Sequence, residues 1–202
     1  MLSILLHSYQ DKQILSNGKY LKSTMNILVI TGSPHKKGSS ALLADNFISG
    51  ATEAGHTIFR FDTMFHVTQP CLACNYCRRN AGKCMQEDDM DLIWDRLVNA
   101  DMIVLVTPIY YFGMSAQLKK VIDRFYAINE KLRSHPKKAV LLATCADDDT
   151  AFDALRAHYK ALCEYLHWTD EGQVLAELCA TREQIEASAY PEQAYTLGKH
   201  LH

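Results

Sequence analysis

The chain has 202 residues, 48% apolar and 22% charged, with 9 Gly and 5 Pro, which excludes collagen-like, low-complexity and disordered classes. Its 21 Lys and Arg against 23 Asp and Glu leave a formal net charge of −2, so nothing favours nucleic acid or an anionic membrane as partner. No apolar run approaches the roughly 20 residues of a membrane span, and Ile4-Leu5-Leu6 has no basic lead-in and no small-residue cleavage site, so the expected location is the cytoplasm.

Residues 1–24 lack a sustained helical or strand period and read as an N-terminal extension ahead of Met25. From there strands and helices alternate. Asn26-Ile27-Leu28-Val29-Ile30 reads as a strand buried on both faces and ends at Thr31-Gly32-Ser33-Pro34. Ser39 or Ser40 caps a helix carrying Leu43, Phe47 and Ala51, with Gly55 as its C-cap glycine. Thr57-Ile58-Phe59-Arg60-Phe61 gives a second strand, and a cysteine-rich insertion spans residues 63–87. Asp88 and Asp89 then precede a helix with Leu92, Ile93 and Leu97 on one face. Asp101–Thr107 reads as the third strand, Ser115–Tyr126 as a helix, and Ala139–Thr144 as the fourth strand. A helix striped by Phe152, Leu155, Tyr159, Leu162 and Leu166 follows, then a weaker strand at Gln173-Val174-Leu175 and a last helix entered at Pro191. Strands alternating with helices predict one doubly wound α/β domain over residues 25–202.

Ligands of such folds sit beyond the carboxyl ends of the strands. After the first strand comes Gly32-Ser33-Pro34-His35-Lys36-Lys37-Gly38-Ser39-Ser40, which is neither a Walker A loop nor a dinucleotide fingerprint. Its hydroxyls, its lysines and the N–H groups of a helix start suit a single phosphate monoester, or else form an ordinary capped turn. After the third strand comes Thr107-Pro108-Ile109-Tyr110-Tyr111-Phe112-Gly113-Met114, three aromatics in a row on the same edge. A flat heteroaromatic ligand, packing beneath the next helix, or a subunit interface would each account for them. A phosphate seat beside a flat-ring seat describes a mononucleotide-like cofactor, FMN first.

These two loops, with the helix Leu118-Lys119-Lys120-Val121-Ile122-Asp123-Arg124, resemble the NADPH-dependent FMN reductase branch of the flavodoxin-like proteins, over residues 25–202. The resemblance implies a flavodoxin-like three-layer sandwich with a five-stranded parallel sheet of order 2-1-3-4-5. It implies Ser33, Ser39 and Ser40 on the FMN phosphate, and Pro108, Ile109, Tyr110, Tyr111, Phe112 and Gly113 along the ring. Thr144-Cys145-Ala146 would approach the ring from the fourth strand. His35 and Ser39 stand where family members often carry Arg and Asn. The implied activity is hydride transfer from NAD(P)H to FMN and onward to a quinone, nitro compound or other small-molecule acceptor, in a homodimer or homotetramer. The alternative is an electron-transfer protein fed by ferredoxin. No side chain is singled out as a catalytic acid or base.

Of seven cysteines, four form Cys71-x-x-Cys74-x-x-Cys77-x6-Cys84. Four thiols within 14 residues can converge on one tetrahedral centre, a [4Fe–4S] cluster or zinc, or can serve as free or redox-active thiols. Arg78, Arg79 and Lys83 lie between them and would offset thiolate charge, and His66 is a further zinc candidate. The arrangement also resembles the compact cysteine motif of iron-sulfur flavoproteins, which implies Cys71, Cys74, Cys77 and Cys84 as cluster ligands. Cys163 reads as core, Cys145 as close to the ring edge, and Cys179 carries no motif. Asp147-Asp148-Asp149 reads as a helix-capping group, like Asp88-Asp89.

Overall fold

A computed structural model describes residues 24–201, so the extension read over residues 1–24 lies, apart from Thr24, outside the described residues. In chain order the elements are β1 (Asn26–Thr31), α1 (Ser39–Glu53), β2 (Thr57–Asp62), α2 (Tyr76–Arg79), α3 (Trp94–Asn99), β3 (Met102–Tyr110) and β4 (Gly113–Met114). There follow α4 (Ala116–Arg124), α5 (Asn129–Ser134), β5 (Lys138–Thr144), α6 (Asp153–Leu166), β6 (Thr169–Ala176), α7 (Arg182–Glu186) and α8 (Tyr190–Lys199).

The strands with unbroken aliphatic runs sit where neither face meets water. β1, β3 and β5 are central in a sheet of order β2-β1-β3-β5-β6, every neighbouring pair parallel. This is the expected 2-1-3-4-5 order once β4, which pairs antiparallel with β3 alone, is set aside. Alternate residues feed two cores, because side chains on a strand alternate between faces. Leu28, Ile30, Ile103, Leu105 and Leu141 pack with α4 and α6 residues such as Leu118 and Leu155. Ile27, Val29, Val104, Val106 and Leu142 pack against Phe47 of α1 and Ala194 of α8. Among the described residues no helix is long and apolar enough to cross a membrane.

α1 crosses α8 at glycines on both sides. A methyl on Gly50 would meet the Tyr195 carbonyl oxygen at 2.1 Å, and one on Gly198 the Phe47 oxygen at 2.2 Å, so only glycine permits this approach. Gly55 takes φ +93° just past the α1 C-cap, as read from the sequence.

Several boundaries differ from the sequence reading. Gly38, with extended backbone, is the N-cap of α1 and supplies no side-chain bond; Ser39 and Ser40 are instead the first helical residues and are buried. Leu92 lies in a 3-10 turn ahead of α3 and stays exposed, while Ile93 and Leu97 are buried as expected. The helix read over Ser115–Tyr126 has Ser115 as its cap and gives way at Phe125 to a 3-10 turn.

Candidate functional site

The loops after β1, β3, β5 and β6 open on one edge of the sheet and enclose a cavity of about 360 Å³. Ser33, Gly38, Ser39 and Ser40 line one side, Pro108, Ile109 and Tyr110 a second, Thr144, Cys145 and Ala146 a third. The approach of the β1 loop to α4 is close enough to require glycine: a methyl on Gly32 would lie 2.3 Å from Ser115 Oγ and 2.7 Å from Leu118 Cβ.

The three serines of the β1 loop are not equivalent. Ser33 Oγ donates to the His35 carbonyl and accepts from the His35 N–H, each at 3.1 Å, which closes the turn on itself. Ser40 Oγ is buried and has no hydrogen-bond partner among the described residues. A buried hydroxyl without a partner costs about 1–3 kcal/mol. It stands in the first turn of α1, a helix of 15 residues with no capping side chain, where N–H groups and the helix dipole favour an anion.

β3 runs on past the sheet and folds back through a two-residue turn into β4, pairing Ile109 with Met114 and Tyr110 with Gly113. Both turn residues are left-handed, Tyr111 at φ +48° and Phe112 at φ +63°. Such turns normally take Asn-Gly, since a side chain there costs roughly 1–2 kcal/mol per residue. The tip is not satellite core: Tyr111 is fully exposed and Phe112 is 60% exposed. Tyr111 and Phe112 form one wall of a second hollow, about 240 Å³, opposite Cys145, Ala146 and Asp147. The two hollows share Ile109, Cys145 and Ala146, so the serine-lined end and the aromatic end are continuous.

Cys179 and Arg182, which no motif marked, also line the first cavity. Cys179 donates its backbone N–H to the Cys145 carbonyl at 2.8 Å. Burial pushes the thiols of Cys145 and Cys179 up, which keeps both protonated at neutral pH. Cys163 lies in the core, its thiol pushed up by burial to about 11.

Cys71, Cys74, Cys77 and Cys84 are free thiols facing one small hollow of about 20 Å³, also lined by Arg124 and Tyr126. The loop is wound by left-handed residues Ala73, Asn75, Ala81 and Gly82. Among the described residues no three His, Cys, Asp or Glu side chains come close enough together to hold a metal ion, so the expected tetrahedral convergence is a shared hollow rather than a closed site. Thiols have no mutual attraction that would draw them to one centre. Arg78, Arg79 and Lys83 are exposed, and the cation set against the sulfurs is Arg124, from α4. His66 is elsewhere, stacked on Phe61 with ring centroids 4.3 Å apart.

Asp88 and Asp148 cap helical turns as read, whereas Asp89, and Asp88 through a second bond, brace the cysteine-rich insertion instead. Asp88 accepts from the Met90 and Gln69 N–H groups at 3.1 and 2.9 Å, Asp89 from Val67 at 2.7 Å, and Asp148 from Thr150 at 3.0 Å.

The model of the NADPH-dependent FMN reductase family matches residues 25–177. An iron-sulfur flavoprotein of Methanocaldococcus jannaschii is 36% identical over 100 residues, 50% of this chain and 51% of that protein. One of Methanosarcina thermophila is 34% identical over 110 residues, 53% of this chain and 56% of that protein. The chain thus spans about half the length of the curated relatives it matches. Among solved structures, an NAD(P)H:quinone oxidoreductase from Methanothermobacter marburgensis superposes with TM-score 0.63 at 17% identity, over 89% of this chain and all of that one, a likeness of fold.

Proposed function

The chain belongs to the NADPH-dependent FMN reductase family, and from that premise we propose that it is an FMN-dependent oxidoreductase taking hydride from NAD(P)H and passing electrons to a small acceptor such as a quinone or nitro compound. The observation that carries this reading is the buried, unpartnered Ser40 hydroxyl at the start of α1, a donor that a phosphate oxygen would satisfy. When bound, FMN supplies a ring that accepts hydride and gives up electrons. The chain's own part is to bind, orient and shield. Ser39 and Ser40, with the first-turn N–H groups of α1, hold the phosphate, and Ser33 joins them when its hydroxyl turns from the His35 carbonyl to a phosphate oxygen. Pro108, Ile109, Tyr110, Tyr111, Phe112 and Gly113 lie along one side of the ring, with Thr144 and the Cys145-Ala146 segment on the other. The protonated thiol of Cys145 keeps a thiolate's charge away from the ring edge. The exposed Tyr111 and Phe112 give the same edge an apolar surface on which copies of the chain associate as a homodimer or homotetramer.

Titration of the apoprotein with FMN, followed by NADH or NADPH oxidation with an added quinone, tests the reading. Saturable binding with turnover above that of free FMN is expected; absence of either rejects it.

A second reading is favoured by the four cysteines that face one hollow: a [4Fe–4S] cluster held by Cys71, Cys74, Cys77 and Cys84, in a protein that exchanges electrons with a carrier such as ferredoxin. Four thiols are the donor set for a soft, anionic centre and the adjacent guanidinium a counter-charge to it, and the named relatives are iron-sulfur flavoproteins. The hollow admits little more than a water, so the segment would open to admit a cluster. Anaerobic purification with iron and sulfide analysis tests it: about four irons per chain are expected, and iron-free protein after reconstitution rejects it.

A further inference from the structure

Arg124 closes α4 with a side chain only 1% exposed. Its Nη1 donates to the Gln69 carbonyl at 2.9 Å and to Asp88 Oδ2 at 2.7 Å, and Nη2 donates to Asp88 Oδ1 at 3.3 Å. Asp88 is equally hidden, its side chain 2% exposed. Nε is buried and has no hydrogen-bond partner among the described residues. Arg124 lines the same hollow as the four cysteines.

A buried ion pair is a poor way to fasten a loop. Removing two charges from water costs as much as their attraction returns, and well-packed apolar side chains of the same volume hold such a joint as firmly. The pair here also leaves one donor unsatisfied. What an apolar joint would lack is a permanent positive charge against the sulfurs. We infer that Arg124 tunes the four-sulfur site: its fixed positive charge in the lining of the hollow makes a cluster held by Cys71, Cys74, Cys77 and Cys84 easier to reduce. The inference rests on the iron–sulfur reading above.

The physics is one of charge. Thiolate ligation makes the centre anionic, and reduction adds one electron without making or breaking a bond. A nearby cation, or a hydrogen bond to sulfur, favours the more negative form and raises the potential. Asp88, on the far side of the guanidinium, opposes that effect.

The two members of the pair therefore predict shifts of opposite sign, which a merely structural joint would not give. The full chain and its Arg124→Gln, Arg124→Lys and Asp88→Asn variants are reconstituted anaerobically with ferrous iron and sulfide. Each is titrated with dithionite while the reduced cluster is followed by electron paramagnetic resonance. Far-ultraviolet circular dichroism and FMN binding report the fold. Relative to the wild type, Arg124→Gln is expected to move the potential down, Asp88→Asn to move it up, and Arg124→Lys to stay nearest the wild type. If Arg124→Gln does not fold, the double variant Asp88→Asn/Arg124→Gln replaces it, and its potential is expected to fall below that of Asp88→Asn alone. Potentials that do not move, or that move together, in iron-loaded protein overturn the role of Arg124 and leave the iron–sulfur reading standing. A wild type that takes up no iron overturns both.

Discussion

Ser115 donates its hydroxyl to the carbonyl of Gly32 across 2.7 Å, a buried bond between positions 83 apart in the chain. The same oxygen accepts from the Leu118 N–H at 3.3 Å as the N-cap of α4, and the Ser115 N–H donates to Thr107 Oγ1 at 2.9 Å. One residue thereby ties the β1 loop to the start of the β3 hairpin, the two halves of the proposed FMN site. Ser115→Ala removes a cap worth about 1 kcal/mol and leaves a buried carbonyl unpaired at about 1–3 kcal/mol. A loss of about 3 kcal/mol in urea unfolding is expected, with weaker FMN binding in a fluorescence titration.

Ser40→Ala should separate binding from stability. The Ser40 hydroxyl has no partner in the described structure, so its removal leaves the unfolding temperature of the apoprotein unchanged or slightly raised. If the hydroxyl donates to a phosphate, FMN affinity falls by roughly ten- to a hundredfold, the worth of a hydrogen bond to a charged group. A matching loss of apoprotein stability would show that the hydroxyl serves the fold instead.

Replacing Tyr111-Phe112 by Asn-Gly gives the β3–β4 turn the residues its backbone prefers. A gain of about 2 kcal/mol is expected from relief at two left-handed positions. The rings are lost at the same time, so NAD(P)H turnover with quinone should fall while thermal stability rises. Unchanged turnover would mean that the tip has no part in binding.

The central strands were legible because burial on both faces imposes an uninterrupted aliphatic run, and Ile27–Ile30 and Ile103–Val106 can be little else. The hairpin was not: β4 has two residues, and Tyr-Phe is no turn sequence, so only the aromatics themselves were visible. The cap of α1 misled because two serines sit at the helix start. Both are instead buried inside the first turn, and the capping position passes to Gly38. Arg124 figured in the sequence only as the last residue of the helix after the aromatic loop, and Cys179 and Arg182 carried no local signal. Their importance lies in contacts that only the tertiary fold creates.

Acid should weaken the fold through Asp88. Burial pushes its carboxyl up, but Arg124 and the Gln69 and Met90 N–H groups outweigh it, and the pKa lies below the ordinary aspartate value. The unfolded chain then binds the proton first, so this contribution is complete above about pH 3.9 and is lost as pH falls through the lower folded value. Urea midpoints measured from about pH 7 to about pH 2.5 should drop in that acid window. Asp88→Asn, less stable near neutrality, should show a flatter profile there. Parallel profiles would remove Asp88 from the acid response.

The glycine crossing of α1 and α8 bears on the timing of ligand capture. With the Tyr195 oxygen 2.1 Å from a methyl placed on Gly50, and the Phe47 oxygen as close to one on Gly198, α1 can neither roll about its axis nor slide along its neighbour. The directions of its first-turn N–H groups are fixed while the chain folds, before any anion arrives. Their ordering entropy is spent once, in folding, and does not recur at each encounter. The helix that supplies this restraint, α8, lies beyond the matched residues 25–177. In the proposed FMN site a phosphate would therefore meet donors already set by the fold, and its association would be governed by diffusion and orientation rather than by rearrangement of α1.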